Sequence, residues 1–197
     1  MVRTSIAVFL LSIAAAAAAA GPLHDAVRSG DLAEARALID AGSALNEQGD
    51  DGETPLNSAI LSGHESLAFL LIDRGADIRA RNRGGFTPLH AAAYTNSDSV
   101  AERLIDKGAD INDQQNSAGV APLTVAAEQG QVEIAKLLID RGADLEASER
   151  NGYTALSRAI WRGHDDVVAV LQSAGAKCQP VEILDEPTYS QCMAGQL

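Results

Sequence analysis

The fold class this sequence predicts is an all-α repeat solenoid, and three observations carry it. A glycine recurs at Gly42, Gly75, Gly108, Gly142 and Gly175, in steps of 33, 33, 34 and 33 residues, followed by Ser at the first position and by Ala at the other four. A leucine keeps the same register at Leu23, Leu56, Leu89, Leu123 and Leu156. Between these fixed points apolar residues fall at helical spacing, as at Ile134, Leu137 and Leu138. A period of this length marks a stacked array, because one short unit cannot bury its apolar face alone. The one extra residue lies between Gly108 and Gly119, within Asp113-Gln114-Gln115-Asn116-Ser117. A loop absorbs such an insertion, whereas a helix would lose its face.

Composition narrows the function. The chain has 197 residues, 15 basic against 27 acidic, for a net charge of -12. With 46% hydrophobic residues it is too apolar to be disordered. An acidic chain lacks the clustered Lys and Arg that phosphate backbones require, so no nucleic-acid partner is expected. Two Cys and four scattered His do not make a zinc framework.

Residues 1–20 read as a cleaved signal peptide. Arg3 gives a short positive start, Ile6 to Ala20 is uncharged, and Ala18-Ala19-Ala20 fits a small-residue cleavage site before Gly21. A retained signal anchor is the alternative, but the second half of the run is all Ala and partitions weakly into lipid. Loss of Arg3 leaves 14 basic and 27 acidic residues, a mature charge of -13. The expected location is the periplasm or the exterior, with no membrane association after cleavage.

Each unit reads as two short helices and a turn. The first helix opens at Pro55, Pro88 or Pro122, where proline's fixed φ suits the first helical position. Thr54, Thr87 and Thr154 precede it as N-caps. Small residues Ala59, Ala92, Ala126 and Ala159 face the next helix. Gly30, Gly63, Gly130 and Gly163 end it, and Asn96 fills that position once, tolerating a left-handed backbone next best. The second helix runs to the Gly of Gly-Ala, and a loop of about ten residues leads onward.

Thr87-Pro88-Leu89-His90-x-Ala92-Ala93 and Leu137-Leu138-Ile139-Asp140-Arg141-Gly142-Ala143-Asp144 together resemble the two ends of the ankyrin repeat. The resemblance spans about residues 22–176, as five helix-turn-helix units near 22–51, 52–84, 85–118, 119–151 and 152–176 within a domain over 21–176. It implies an L-shaped stack with β-hairpin or loop fingers, and a function in binding other proteins. Asn57, Thr124 and Ser157 stand where His90 stands, so the family's Thr–His hydrogen bond is expected once. Gln172 replaces the Ile of earlier second helices, as suits the outer face of a last repeat.

Residues 177–197 form a tail, expected to be tethered by a Cys178–Cys192 disulfide. Val181, Ile183 and Leu184 would then cover the end of the stack. A redox pair is the other reading, although the spacing is not C-x-x-C and no activating Lys or His adjoins.

The chemistry-bearing residues all sit at repeat positions. His24 and His90 open helices, and His64 and His164 follow the inter-helix Gly, three repeats apart and too far for one metal. Asp50-Asp51 lies in a loop and Asp165-Asp166 at a helix start, where carboxylates favour the dipole or face water. No catalytic residue, metal or cofactor is therefore assigned.

Partner recognition falls to the residues that vary between units. The position two or three residues before the inter-helix break holds Arg28, Leu61, Tyr94, Glu128 and Trp161, with Arg158 and Arg162 flanking Trp161. Aromatic and Arg side chains dominate binding energies, so this series reads as a protein-binding groove, against the alternative that Tyr94 and Trp161 pack between repeats. The finger loops differ in charge. The first carries Glu47, Asp50, Asp51 and Glu53; the second, Arg79, Arg81 and Arg83; the third, only Asp113; the fourth, Glu146, Glu149 and Arg150. The leading expectation is an exported protein-protein interaction module whose partner lies in the envelope or outside the cell. A redox or enzymatic protein using Cys178/Cys192, and a secreted host-directed effector, are the alternatives.

Overall fold

The computed structural model describes residues 21–49, 52–180 and 185–194, and the described residues contain eleven helices and no strand. The expected signal segment (1–20), Asp50, Asp51, Val181, Ile183 and Leu184 lie outside them. The chain divides at Ala109/Asp110 into two compact units.

The first unit holds three helix pairs. They are α1 (Pro22–Ser29) with α2 (Leu32–Asp40), α3 (Pro55–Leu61) with α4 (Glu65–Asp73), and α5 (Pro88–Thr95) with α6 (Asp98–Asp106). First helices pack on first helices, α1 on α3 and α3 on α5, and second helices do the same. The small residues explain the close approach: Ala26, Ala59 and Ala92 are buried to 1% exposure or less. Leu56, Leu67, Leu71, Leu89 and Leu104 fill the layers between.

The second unit holds α7 (Pro122–Gln129) with α8 (Val132–Asp140), α9 (Ala155–Arg162) with α10 (Asp165–Ser173), and the tail helix α11 (Glu186–Ala194). Here α7 packs on α9, α8 on α10, and α11 on α9.

Helix boundaries follow the local chemistry. The Thr54 and Thr154 side chains accept the N3 backbone N–H groups of Asn57 and Ser157. His90 Nδ1 accepts from the Thr87 backbone N–H at 3.3 Å and lies 2.8 Å from its hydroxyl, the Thr–His bond the sequence predicts. Ala121 opens α7 without a side-chain cap. Asn96 takes φ 59°, the only non-glycine with positive φ among the described residues. Gly30 and Gly130 are constrained twice, by φ of +78° and +74° and by an imidazole. A Cβ there would lie 2.8 Å from His64 Cε1 or 2.7 Å from His164 Nδ1.

The fingers are loops rather than β-hairpins. Two backbone bonds close each of three of them: one from Gly49, Asn82 and Glu149 N–H to the carbonyls of Glu53, Phe86 and Tyr153, and one turn bond from Gly52, Gly85 and Gly152 N–H back to the carbonyls of Gly49, Asn82 and Glu149. A turn bond and one closing bond make no ladder, so no strand forms among the described residues. Side chains supply the rest: Asn82 Oδ1 accepts the Gly84 and Phe86 N–H groups, both at 3.0 Å.

The Asp of the Gly-Ala-Asp turn has a defined task. Asp77, Asp110 and Asp144 each accept the backbone N–H two residues on, from Arg79, Asn112 and Glu146. From that second position a side chain reaches the next repeat: Asn46 takes the Asp77 N–H, Asn112 the Asp144 N–H, and Glu146 the Lys177 N–H.

Candidate protein-binding faces

In the first unit, Arg28, Leu61 and Tyr94 stand near the C-terminal ends of α1, α3 and α5. Arg28 is exposed, with Asp25 at 3.7 Å, and Leu61 and Tyr94 are half-buried. His64 at the start of α4 places Nε2 3.4 Å from the Arg28 carbonyl, tying the end of one first helix to the next repeat. Leu61 and Tyr94 stand at the matching positions of α3 and α5.

The second unit differs from a simple series of exposed side chains. Trp161 is 52% exposed. Glu128, on the preceding helix, is 2% exposed and accepts a hydrogen bond from Arg162 Nη2. Arg158 is 7% exposed and donates twice to Glu149, Nε to Oε1 and Nη2 to Oε2, each at 2.5 Å. Glu128 and Arg158 are therefore interior members of ion pairs, where the sequence suggested surface residues. The reason is mutual: each charge tolerates burial because its partner is oriented bidentately or is itself fixed on the adjacent helix.

These pairs carry the aromatic side chains. The Arg158 guanidinium lies 4.9 Å from the Tyr153 ring centroid and 5.3 Å from that of Trp161. Arg162 lies 5.5 Å from Trp161. The Tyr153 and Trp161 rings are 6.3 Å apart with planes 11° from parallel. Trp161 is thus exposed and held at once, the condition under which an aromatic contributes contact area with little ordering cost. Burial by itself pulls the Arg158 pKa down, but the hydrogen bonds and charge of Glu149, then Glu128 and Tyr153, outweigh it and leave it raised. Arg158 stays charged and keeps its place under the rings.

Of the finger residues, Glu47, Arg79 and Arg83 are exposed. Arg79 Nη2 donates to the Gly108 carbonyl at 3.3 Å, and half-buried Arg81 donates to Gly85 O at 3.0 Å. Glu53, Asp113 and Glu149, read from sequence as finger charges, are buried at 6%, 3% and 6% exposure. Glu53 holds Asn57 and Asn82 at 2.8 and 2.7 Å. Sequence alone gives no sign of this pairing, because each partner is supplied by another turn or another repeat.

Cys178 and Cys192 are bonded, with Cα atoms 5.8 Å apart. Cys192 is fully buried, and its carbonyl accepts from Gln172 Nε2 at 3.1 Å. Gln172 therefore meets the tail helix rather than open solvent. Gln179, which no repeat of the sequence pattern marks, accepts from the Thr154 N–H and the Ser157 hydroxyl at 3.2 and 3.0 Å and donates to Gly152 O. It ties the tail to the groups that open α9.

Among the described residues no group of three His, Cys, Asp or Glu is placed to hold a metal ion, and no helix is long and apolar enough to cross a membrane.

The family model for ankyrin repeats (3 copies) matches residues 23–115 and 112–181. The chain belongs to the ankyrin repeat family. Ankyrin repeats bind other proteins, and proteins built from them are typically binding modules without enzymatic activity. No curated protein matches the chain.

Proposed function

We propose that this ankyrin-repeat chain is an exported binding module that engages a partner protein in the envelope or outside the cell. The contact residues are Arg28, Leu61 and Tyr94 in the first unit and Trp161 with Arg162 in the second. The observation that carries the reading is Trp161, more than half exposed yet braced by Tyr153, Arg158 and Arg162. Exposed, ordered aromatics next to Arg are the usual anchors of protein interfaces. The apolar start of the chain supports export. The burial of Cys192 favours a structural bridge over a redox role.

Affinity capture from the exporting compartment tests it, with Trp161→Ala/Tyr94→Ala as the control. Neither side chain fills the core, so helical circular dichroism should be unchanged. Capture by the native chain should fall at least about tenfold in the variant, as loss of an anchor residue predicts. Equal capture by both proteins would remove these faces from the interface. Intact mass of the exported protein should start at Gly21.

A further inference from the structure

The tail and the last repeat together enclose a small pocket, lined by Tyr153, Ser157 and Trp161 from the repeat and by Asp185 and Thr188 from the start of α11. Its wall is aromatic on one side and carries a carboxylate and a hydroxyl on the other. Asp185 is the one charged residue among those lining it.

Resting on the binding role proposed above, we infer that this pocket receives a lysine side chain from the partner, its stem on the Trp161 and Tyr153 rings and its ammonium on Asp185. Three features select that occupant. The two guanidinium groups near the rings are already matched, Arg158 by Glu149 and Arg162 by Glu128, so Asp185 leaves the lining with a net negative charge. Asp185 is exposed and accepts the Thr188 N–H at 2.9 Å, which fixes the carboxylate and leaves further acceptor positions open. A lysine combines an apolar stem with a compact cation. The chain's charge of -12 favours a basic partner in the same sense.

The pocket reports on itself, because Trp161 is the single Trp of the chain. The probe is acetyl-Gly-Lys-Gly-amide, titrated into the full chain at millimolar concentration while Trp emission is recorded. A saturable emission change is expected. The same peptide acetylated on the lysine nitrogen should produce less than about a fifth of it, and Asp185→Asn should weaken the lysine peptide about fivefold or more, as loss of a charge partner predicts. Asn keeps the capping oxygen, so α11 is retained, and circular dichroism checks this. An equal response to the acetylated peptide, no response to either, or an unaltered titration in Asp185→Asn overturns the inference. Partner capture separates it from the broader reading. Capture that needs Trp161 but survives Asp185→Asn overturns the lysine pocket and leaves the binding module standing.

Discussion

Arg158 and Glu149 illustrate what one residue decides here. Their side chains are 8% and 3% exposed and bonded at two points, so removing one strands the other away from water. Arg158→Ala should therefore destabilise the protein by about 3–5 kcal/mol in urea unfolding, since a buried charge loses its partner. Arg158→Met with Glu149→Leu should recover most of that loss, because both desolvated charges go together. A small effect of Arg158→Ala would mean the pair is solvated. The same substitution should raise the mobility of Trp161, whose ring lies 5.3 Å from this guanidinium.

At the scale of the element, the tail helix does what an additional repeat would have done. Alpha11 lies on α9, the Cys178–Cys192 bond pins it, Gln172 bonds its Cys192 carbonyl, and Gln179 bonds the Thr154 and Ser157 groups that open α9. A terminal repeat without such a cover exposes its apolar layer. Cys192→Ser should lower stability by about 3 kcal/mol in the chain-entropy treatment of a loop this size. Thermal unfolding of the variant against the native chain measures it, and dithiothreitol should reproduce the shift in the native protein. If neither lowers the midpoint, the bridge contributes nothing to the fold. Because Asp185 and Thr188 belong to this tail, the same variant should also weaken the lysine-peptide response.

For the whole molecule the governing quantity is charge. The sequence carries 27 acidic against 15 basic residues, and much of the surplus is exposed, as at Asp165, Asp166 and Asp144. The outer ion pairs of the first unit, Arg74–Asp40 and Arg103–Asp73, are about half exposed and add little stability. Under the proposed binding role, the surplus is expected to act on encounter instead. Association with a basic partner should slow markedly between about 50 and 500 mM salt, while dissociation changes less, because exposed charges are screened within a Debye length of roughly 10 Å at 0.1 M. Stopped-flow or surface-based kinetics would show this. A salt-independent association rate would argue against electrostatic steering.

The fold was legible because a repeat writes its rules several times over. The Thr-Pro openings and the glycines at helix ends recur at a fixed spacing, and each is a local requirement of backbone geometry. The family resemblance gave the Thr87–His90 bond, and a local rule the left-handed Asn96. Charge was the part the sequence could not place. Glu53, Glu128, Glu149 and Arg158 read as surface residues, and all four are buried. Glu128 meets Arg162 across 34 positions of chain and Glu53 meets Asn82 across 29. A charged side chain is exposed by default, and only a partner brought in from another turn or repeat makes burial tolerable. Periodicity therefore determined the scaffold, while packing decided which of its charges face solvent and which hold the scaffold together.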